Sequence, residues 1–406
     1  MSASLASSSR ARIAQLLAEG VGPQSMPMRM MGNTGLQVSV LSFGFWATYG
    51  VKKDLQDDDG VKTAKAVMSA ARNAGVNLFD HAETYGNPQG AAEMVFGHAL
   101  KQLKQEDAKL WARHSLIITT KIFWGGPDPN QKGLSRKHLR EGLDASLERL
   151  QLDYVDMVFC HRPDPLTPTE TVVRGMTDLV RSGKVHYWGT SEWSAQQWTE
   201  AYWIAQMHGL EPPQFEQPQY HMFWRDRFEK EYFPLFRAPY HMGTTTWSPL
   251  ASGLLSGKYV DGTIPESSRA NTEGYAFVKN KVDTWVADGT MDKVKKLKKY
   301  AEEELGCTVA QLALAWSIRN GNATTTLLGA TSVEQIRENL SAVCVAKGMS
   351  NADDEAVEKI LGNKPDMWAG FGGSGMRQIT RMENFSSDTV RIQNPMLPLP
   401  RAVAQL

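Results

Sequence analysis

With 44 Lys and Arg against 44 Asp and Glu, this chain of 406 residues has no net field to draw it to nucleic acid or anionic lipid, so small molecules or proteins are its expected partners. Its three cysteines, Cys160, Cys307 and Cys344, sit in apolar or helical settings without CxxC spacing, which speaks for reduced thiols inside a cell and against a zinc site. No apolar run reaches membrane-spanning length, so direct membrane insertion is not expected.

Residues 1–27 form an N-terminal extension, SASLASSSRARIAQLLAEG in its first part, rich in Ser and Arg and nearly free of acids before Glu19. That bias reads as a disordered or helical terminus rather than a transit address. From Met28 to Val40, two short alternating runs flank Gly-Asn-Thr-Gly, which predicts a hairpin able to close one mouth of the fold that follows. A regular alternation of strand and amphipathic helix then begins. VLSFGFWAT precedes DGVKTAKAVMSAARNAG, NLFD precedes AAEMVFGHALKQL, and SLIITTKIF precedes SRKHLREGLDASLERL. YVDMVFC, VHYWGTS, QFEQPQY, TTTWSPL and TTLLGA continue it, the third of these followed by RFEKEYFPLFRA read as a helix. Eight such units predict an α/β protein, a (β/α)8 TIM barrel over residues 28–365 with the hairpin at its start and irregular terminal extensions. A doubly wound open sheet is the weaker alternative, because the first strand, SFGFWATYG, lacks the G-x-G-x-x-G spacing of a Rossmann site. Residues 366–406 lose helical periodicity and gain Gly and Pro, as in an extended arm packed on the barrel or on a neighbour. The closing Ala-Gln-Leu lacks the basic residue of an SKL-type address, which leaves the expected location cytoplasmic.

P-loop, HExxH and GxSxG motifs are missing, so the chemistry must come from the strand ends. Asp80, Tyr85 and Lys121 emerge where the apolar runs NLFD and IITTK break off into ionisable residues. A phenol with a pKa near ~10 is a poor acid at neutral pH, but a nearby ammonium stabilises the phenolate and a carboxylate can hold that ammonium. His161, after the apolar run of VFCHRPDP, ends the next strand on the same predicted mouth. Taken singly, these side chains read as a helix cap, a loop-anchoring phenol, a solvated charge and a surface histidine. Together, on three successive strand ends, they form a candidate acid–base site. LLGATSVEQ adds a helix N-terminus suited to a phosphate, alongside ordinary capping by Ser332. Phe45, Trp46, Trp124, Trp193 and Phe223 either line an aromatic pocket or pack the core.

The stretches NLFDHAETYGN, ITTKIFWGG, LSRKHLREGLDASLERLQLDYVDMVFCHRPDP, WSPLASGLLSGKY and LLGATSVEQIREN resemble the aldo-keto reductase superfamily, from about Met28 to Pro365. ITTKIFWGG, LSRKHLREGL, HRPDP and EQPQYHMFWR most resemble its voltage-gated potassium channel beta-subunit branch. The resemblance implies an NADPH-dependent barrel oxidoreductase that reduces small carbonyl substrates, with the catalytic tetrad Asp80, Tyr85, Lys121 and His161. It implies cofactor contacts at Trp46, Ser191, Gln217, Trp247, Ser248, Pro249, Leu250, Ser252, Lys258, Arg269, Gly329, Thr331, Gln335, Glu338 and Asn339. Trp247 would stack on the nicotinamide. It also implies a homo-oligomer, in the channel-beta branch a tetramer docked to an ion-channel alpha subunit and sensing the NADPH/NADP ratio. The chain departs from that branch in having His161 for Asn, Glu192 for Arg and Ser267 for Tyr. The first departure favours catalysis, and the other two remove cofactor contacts.

Overall fold

Short parallel strands buried on both faces must close on themselves or be covered, and here they close. The computed structural model describes residues 2–46, 49, 58–261, 263–264 and 276–366. Arg269, Ser267 and the tail from residue 367 lie outside the described residues. The barrel consists of β3 (Leu41–Gly44), β4 (Leu78–Asp80), β5 (Ile117–Ile122), β6 (Val155–Cys160), β7 (Val185–Ser191), β8 (Phe215–Gln217), β9 (Gly243–Thr246) and β10 (Thr325–Leu328). Spatial order follows chain order, and β10 pairs back on β3 with Thr326 opposite Leu41. The predicted (β/α)8 barrel is therefore the observed fold.

The predicted hairpin is formed by β1 (Met28–Met30) and β2 (Gln37–Ser39), with Arg29 opposite Val38. Met31 and Val38 join Leu78, Ile117, Met157, Phe159, Phe215 and Leu327 in one buried cluster. The hairpin thus plugs the N-terminal mouth of the barrel and leaves the C-terminal mouth for chemistry. The N-terminal extension is helical: α1 (Ser2–Glu19) buries Ile13 completely. Ser9 Oγ donates to Asp353 Oδ2 at 2.7 Å, and the Cys344 thiol donates to the Leu16 carbonyl at 3.3 Å. All three cysteines are free and buried. Among the described residues no helix is long and apolar enough to cross a membrane.

Crossover helices follow the sequence pattern with one exception. α2 (Asp58–Asn73), α3 (Ala91–Glu106), α4 (Arg136–Leu150), α5 (Thr169–Arg181) and α6 (Ala195–His208) alternate with the strands as expected. After β8, however, RFEKEYFPLFRA forms a π-helical turn, Arg227–Glu231, and a 3-10 turn, Phe233–Phe236, instead of an α-helix. Pro234 lacks the N–H an α-helix would use, and its ring disfavours α geometry at Phe233. Side-chain packing takes over: Phe228 stacks on Tyr220 with centroids 4.1 Å apart. Beyond β9 lie α7 (Ala276–Ala287), α8 (Thr290–Tyr300) and α9 (Val309–Ile318). α10 (Val333–Leu340), α11 (Ala342–Gly348) and α12 (Asn351–Leu361) follow β10.

The interior is filled tightly enough that one strand position admits no side chain. A Cβ at Gly189 on β7 would overlap both the ring and the carbonyl oxygen of Phe215 on β8. Gly189→Ala is expected to cost about 1–3 kcal/mol through this overpacking. Chemical denaturation compared with wild type measures it, and an unchanged midpoint would contradict the packing.

Candidate active site

Side chains alternate across a strand, so each barrel strand sends every second residue inward. In β4 this gives Leu78 and then Asp80; in β5, Ile117, Thr119 and Lys121; in β6, Met157 and Phe159, followed by His161 just past the strand end. β8 gives Phe215 and then Gln217. The lower members fall in the apolar cluster that the hairpin caps. The upper members form a polar layer at the C-terminal mouth. Strand register levels that layer: Asp80 lies opposite Thr119, Lys121 opposite Phe159, and Ser191 opposite Gln217.

At its centre Lys121 Nζ, with no exposed surface, donates to Asp80 Oδ2 at 2.5 Å and to the His81 carbonyl at 2.7 Å. The other Asp80 oxygen accepts from Thr119 Oγ1 at 2.7 Å and from Gln217 Nε2 at 3.1 Å. Gln217 also donates to Thr245 Oγ1 at 2.9 Å, which fixes its amide. Burial lowers the Lys121 pKa, and Asp80 opposes that loss. Lys121 Nζ lies 4.6 Å from the centroid of the Tyr85 ring. The Tyr85 phenol is nevertheless pushed well above its ordinary range, first by burial and then by the Asp80 charge, with Arg162 opposing. The expected acidified phenol is thus not what burial leaves, and the Lys121 ammonium gives its hydrogen bonds to Asp80 and the His81 carbonyl. Tyr85 is held as a neutral O–H.

His161 packs edge-on against Tyr85 with centroids 5.7 Å apart and against Trp124 at 4.9 Å. Burial, with the charges of Lys121 and Arg162 behind it, drives its pKa well below the ordinary histidine value, so the ring is neutral. Its buried Nδ1 has no hydrogen-bond partner. A buried polar atom without a partner is costly and is found where a site awaits a ligand or water. The four residues expected on the strand ends are therefore brought together in one buried group.

The residues expected to contact a cofactor surround the same mouth. Ser191 Oγ donates to the Gln217 carbonyl at 2.9 Å. Trp247 Nε1 donates to Glu192 Oε1 at 3.0 Å, and Glu192 Oε2 accepts from Arg227 Nη1 at 2.8 Å. After Trp247 the turn is strained: Ser248, Ala251 and Ser252 have φ of 57°, 50° and 58°. Pro249 is buried and Leu250 half-buried within it. Left-handed conformations at non-glycine residues cost free energy, and here the turn is held by Ala251 N donating to the Ser248 carbonyl and Gly253 N to the Leu250 carbonyl, each at 2.9 Å. The exposed Lys258 side chain lies along Gly253 of this turn. At the other phosphate candidate, Ser332 caps α10 by accepting from Gln335 N, while the Thr331 N–H and hydroxyl both donate to Gln335 Oε1 at 2.9 Å. Gly329 is exposed, Asn339 is buried, and Glu338 accepts from Thr308 Oγ1 at 3.1 Å. Trp46 is 46% exposed. The Lys258 ammonium and the N-terminus of α10 are the kinds of group that hold a phosphate. No group of residues able to hold a metal ion occurs among the described residues.

Of the five aromatics that could line a pocket, Phe45 and Trp193 are core: Phe45 packs on His81 at 4.5 Å, and Trp193 is 3% exposed. Trp46 and Trp124 stay open at the mouth, and Phe223 is half-buried. Two participants were not singled out from the sequence, Thr119 and Arg162. Thr119 was legible in principle, two residues before Lys121 on the same inward face. Arg162 follows His161 directly in HRPDP.

A closed eight-stranded barrel with a buried Asp–Lys–Tyr–His group at its C-terminal mouth has the layout of a barrel oxidoreductase. The aldo/keto reductase family model matches residues 40–360, and the chain belongs to that family. Two similar curated proteins are each named "Probable voltage-gated potassium channel subunit beta". The one from Arabidopsis thaliana is 47% identical over 340 residues, covering 84% of this chain and 98% of the relative. The one from Oryza sativa subsp. japonica is 46% identical over the same shares. These relatives lie in the branch that the sequence motifs resemble.

One neighbour of the site has a titration of its own. Glu216, between the inward Phe215 and Gln217, points outward, fully buried, against the Thr190 hydroxyl. Burial pushes its carboxyl from 4.5 up to about 8. A folded-state pKa above the unfolded one gives stability that is complete below pH 4.5 and is lost as pH rises through about 8. Glu216→Gln is therefore expected to flatten the fall in thermal stability across that window and to gain at its alkaline end, by the order of a few kcal/mol. Parallel melting profiles for wild type and variant at every pH would refute this.

Proposed function

We propose that the protein is an NADPH-dependent oxidoreductase that reduces aldehyde or ketone carbonyls to alcohols, with Tyr85 as general acid. The observation that carries this reading is a neutral, buried Tyr85 phenol beside a fully paired Lys121–Asp80 couple and a neutral His161. Bound NADPH supplies hydride transfer to the carbonyl carbon. The alkoxide that develops on the carbonyl oxygen is a far stronger base than a phenolate, so Tyr85 hands it the phenolic proton. Lys121, beside the ring, then stabilises the phenolate left behind, and Asp80 keeps the ammonium from turning away. His161, being neutral, donates its N–H to the carbonyl oxygen and orients it for both transfers. Trp46, Ser191, Gln217 and Trp247 would hold the nicotinamide end, and the turn Ser248–Ser252 with Lys258 and Arg269 would hold phosphates. Thr331, Gln335, Glu338 and Asn339 after Gly329 would hold the 2′-phosphate end, which favours NADPH over NADH. The proposed setting is a cytoplasmic homo-oligomer, a tetramer on the pattern of the channel-beta branch.

Identity of 46–47% to the two named relatives supports a second reading, a potassium-channel beta-like protein that docks to a channel alpha subunit and senses the NADPH/NADP ratio. Turnover separates the two, since a sensor can hold its cofactor without multiple turnovers.

Tyr85→Phe is expected to lower kcat/KM for nitrobenzaldehyde or methylglyoxal by about 10²–10⁴-fold while NADPH affinity stays within about twofold. His161→Asn should lower kcat more than it weakens NADPH. Loss of NADPH absorbance measures turnover, and fluorescence titration measures binding. Full activity in Tyr85→Phe would sink the reductase reading. An absence of turnover in wild type, together with stoichiometric capture of a channel cytoplasmic domain, would favour the second.

A further inference from the structure

The HRPDP turn after β6 brings a second side chain to the mouth, and its bonding capacity is only partly used. Arg162 Nη1 donates to the His161 carbonyl and, at 3.2 Å, to Ser191 Oγ. Its Nε and Nη2 make no hydrogen bond to a described residue, and neither is among the sealed polar atoms that lack a partner. Backbone carbonyls accept from Arg29 and Arg72, and a carboxylate faces each of Arg113, Arg149, Arg227 and Arg319, supplied by Asp156, Glu93, Glu192 and Asp354. Among the described residues Arg162 has none. Its Cζ lies 5.2 Å from the centroid of the Trp124 ring, and that ring packs on His161. Nη1 is thereby tied to the protein, while Nε and Nη2 are left for a further acceptor. Its charge also reaches Tyr85 and His161.

A planar guanidinium with an open edge matches a carboxylate bidentately, and a sheltered cation without a partner favours an anion that completes it. We propose that Arg162 makes this site selective for carbonyl compounds that carry a carboxylate, such as oxo acids and carboxylated aldehydes. Its neighbour His161 faces the carbonyl oxygen, so the carboxylate must sit a short linker away from the reacting carbon. The proposal rests on the carbonyl-reductase reading and names the substrate class for it. The phosphate candidates at Ser248–Ser252 and α10 lie on other strand ends, and among the described residues given to the cofactor Arg162 bonds Ser191 alone.

The test pairs para-carboxybenzaldehyde with its neutral methyl ester, using wild type, Arg162→Gln and Arg162→Lys. Wild type is expected to favour the carboxylate in kcat/KM by about tenfold or more, a preference that Arg162→Gln abolishes and Arg162→Lys partly keeps. Wild type without such a preference overturns the proposal. Equal losses on both substrates in Arg162→Gln overturn it as well, because they mark a clamp that only positions His161 against Ser191. A loss of NADPH affinity that accounts for the whole effect assigns the arginine to the cofactor and also overturns it. Calorimetric binding of para-carboxybenzaldehyde keeps the two proposals separable. If neither aldehyde is turned over but the carboxylate binds wild type and not Arg162→Gln, the reductase reading fails and the anion site stands. If the carboxylate does not bind wild type, the anion site fails.

Discussion

A lysine ammonium with no exposed surface persists inside a barrel only if every one of its needs is met there. Lys121 meets them with Asp80 and the His81 carbonyl, and Asp80 in turn is completed by Thr119 and Gln217. Removing two charges from water costs several kcal/mol per ion, and an ion pair recovers this only with near-ideal geometry and its remaining lone pairs satisfied. The pair is thus an expensive way to stabilise a fold and an effective way to fix a charge. β4, β5, β8 and β9 all contribute to this network, which ties the local geometry of the site to closure of the barrel. Tyr85 and His161 inherit their protonation states from the same burial: both are kept neutral, one as an O–H and the other as an N–H.

The site was legible from the sequence because strand parity is simple. Leu78 and Asp80, Ile117 and Lys121, and Phe159 and His161 are separated by two or four positions, so an apolar lower layer fixes the direction of the polar one above it. Less legible were features set by contacts distant in sequence. The sign of the Tyr85 shift depends on the burial of the phenol and on the Asp80 charge near it, and no spacing records either. The turn after β8 carries the apolar spacing of a helix, yet Pro234 and the stack of Phe228 on Tyr220 give it another form. Likewise α1 has a biased composition that says nothing of docking, although Ile13 fits where Gly348 leaves no room for a Cβ.

Glu192 shows how a departure from the family pattern is absorbed. An acid at the end of β7, where the channel-beta branch has an arginine, would place negative charge near Ser191. Here Arg227 from the π-helical turn pairs with it at 2.8 Å, while Gln219 N and Trp247 Nε1 donate to its other oxygen. Glu192 adopts φ of 60° to make these bonds. The guanidinium lost from one strand end is thereby returned from another, and Trp247 gains an anchor at its indole N–H.

What separates a reductase from a sensor on one scaffold is the group that meets the carbonyl oxygen. An asparagine can donate an N–H there, but its amide does not titrate and is oriented only by its own hydrogen bonds. An imidazole kept neutral first by burial and then by the charges of Lys121 and Arg162 packs edge-on against both Tyr85 and Trp124, so packing fixes its ring. Donors fixed before the charge develops need no reorganisation when it does, which is where most electrostatic catalysis arises.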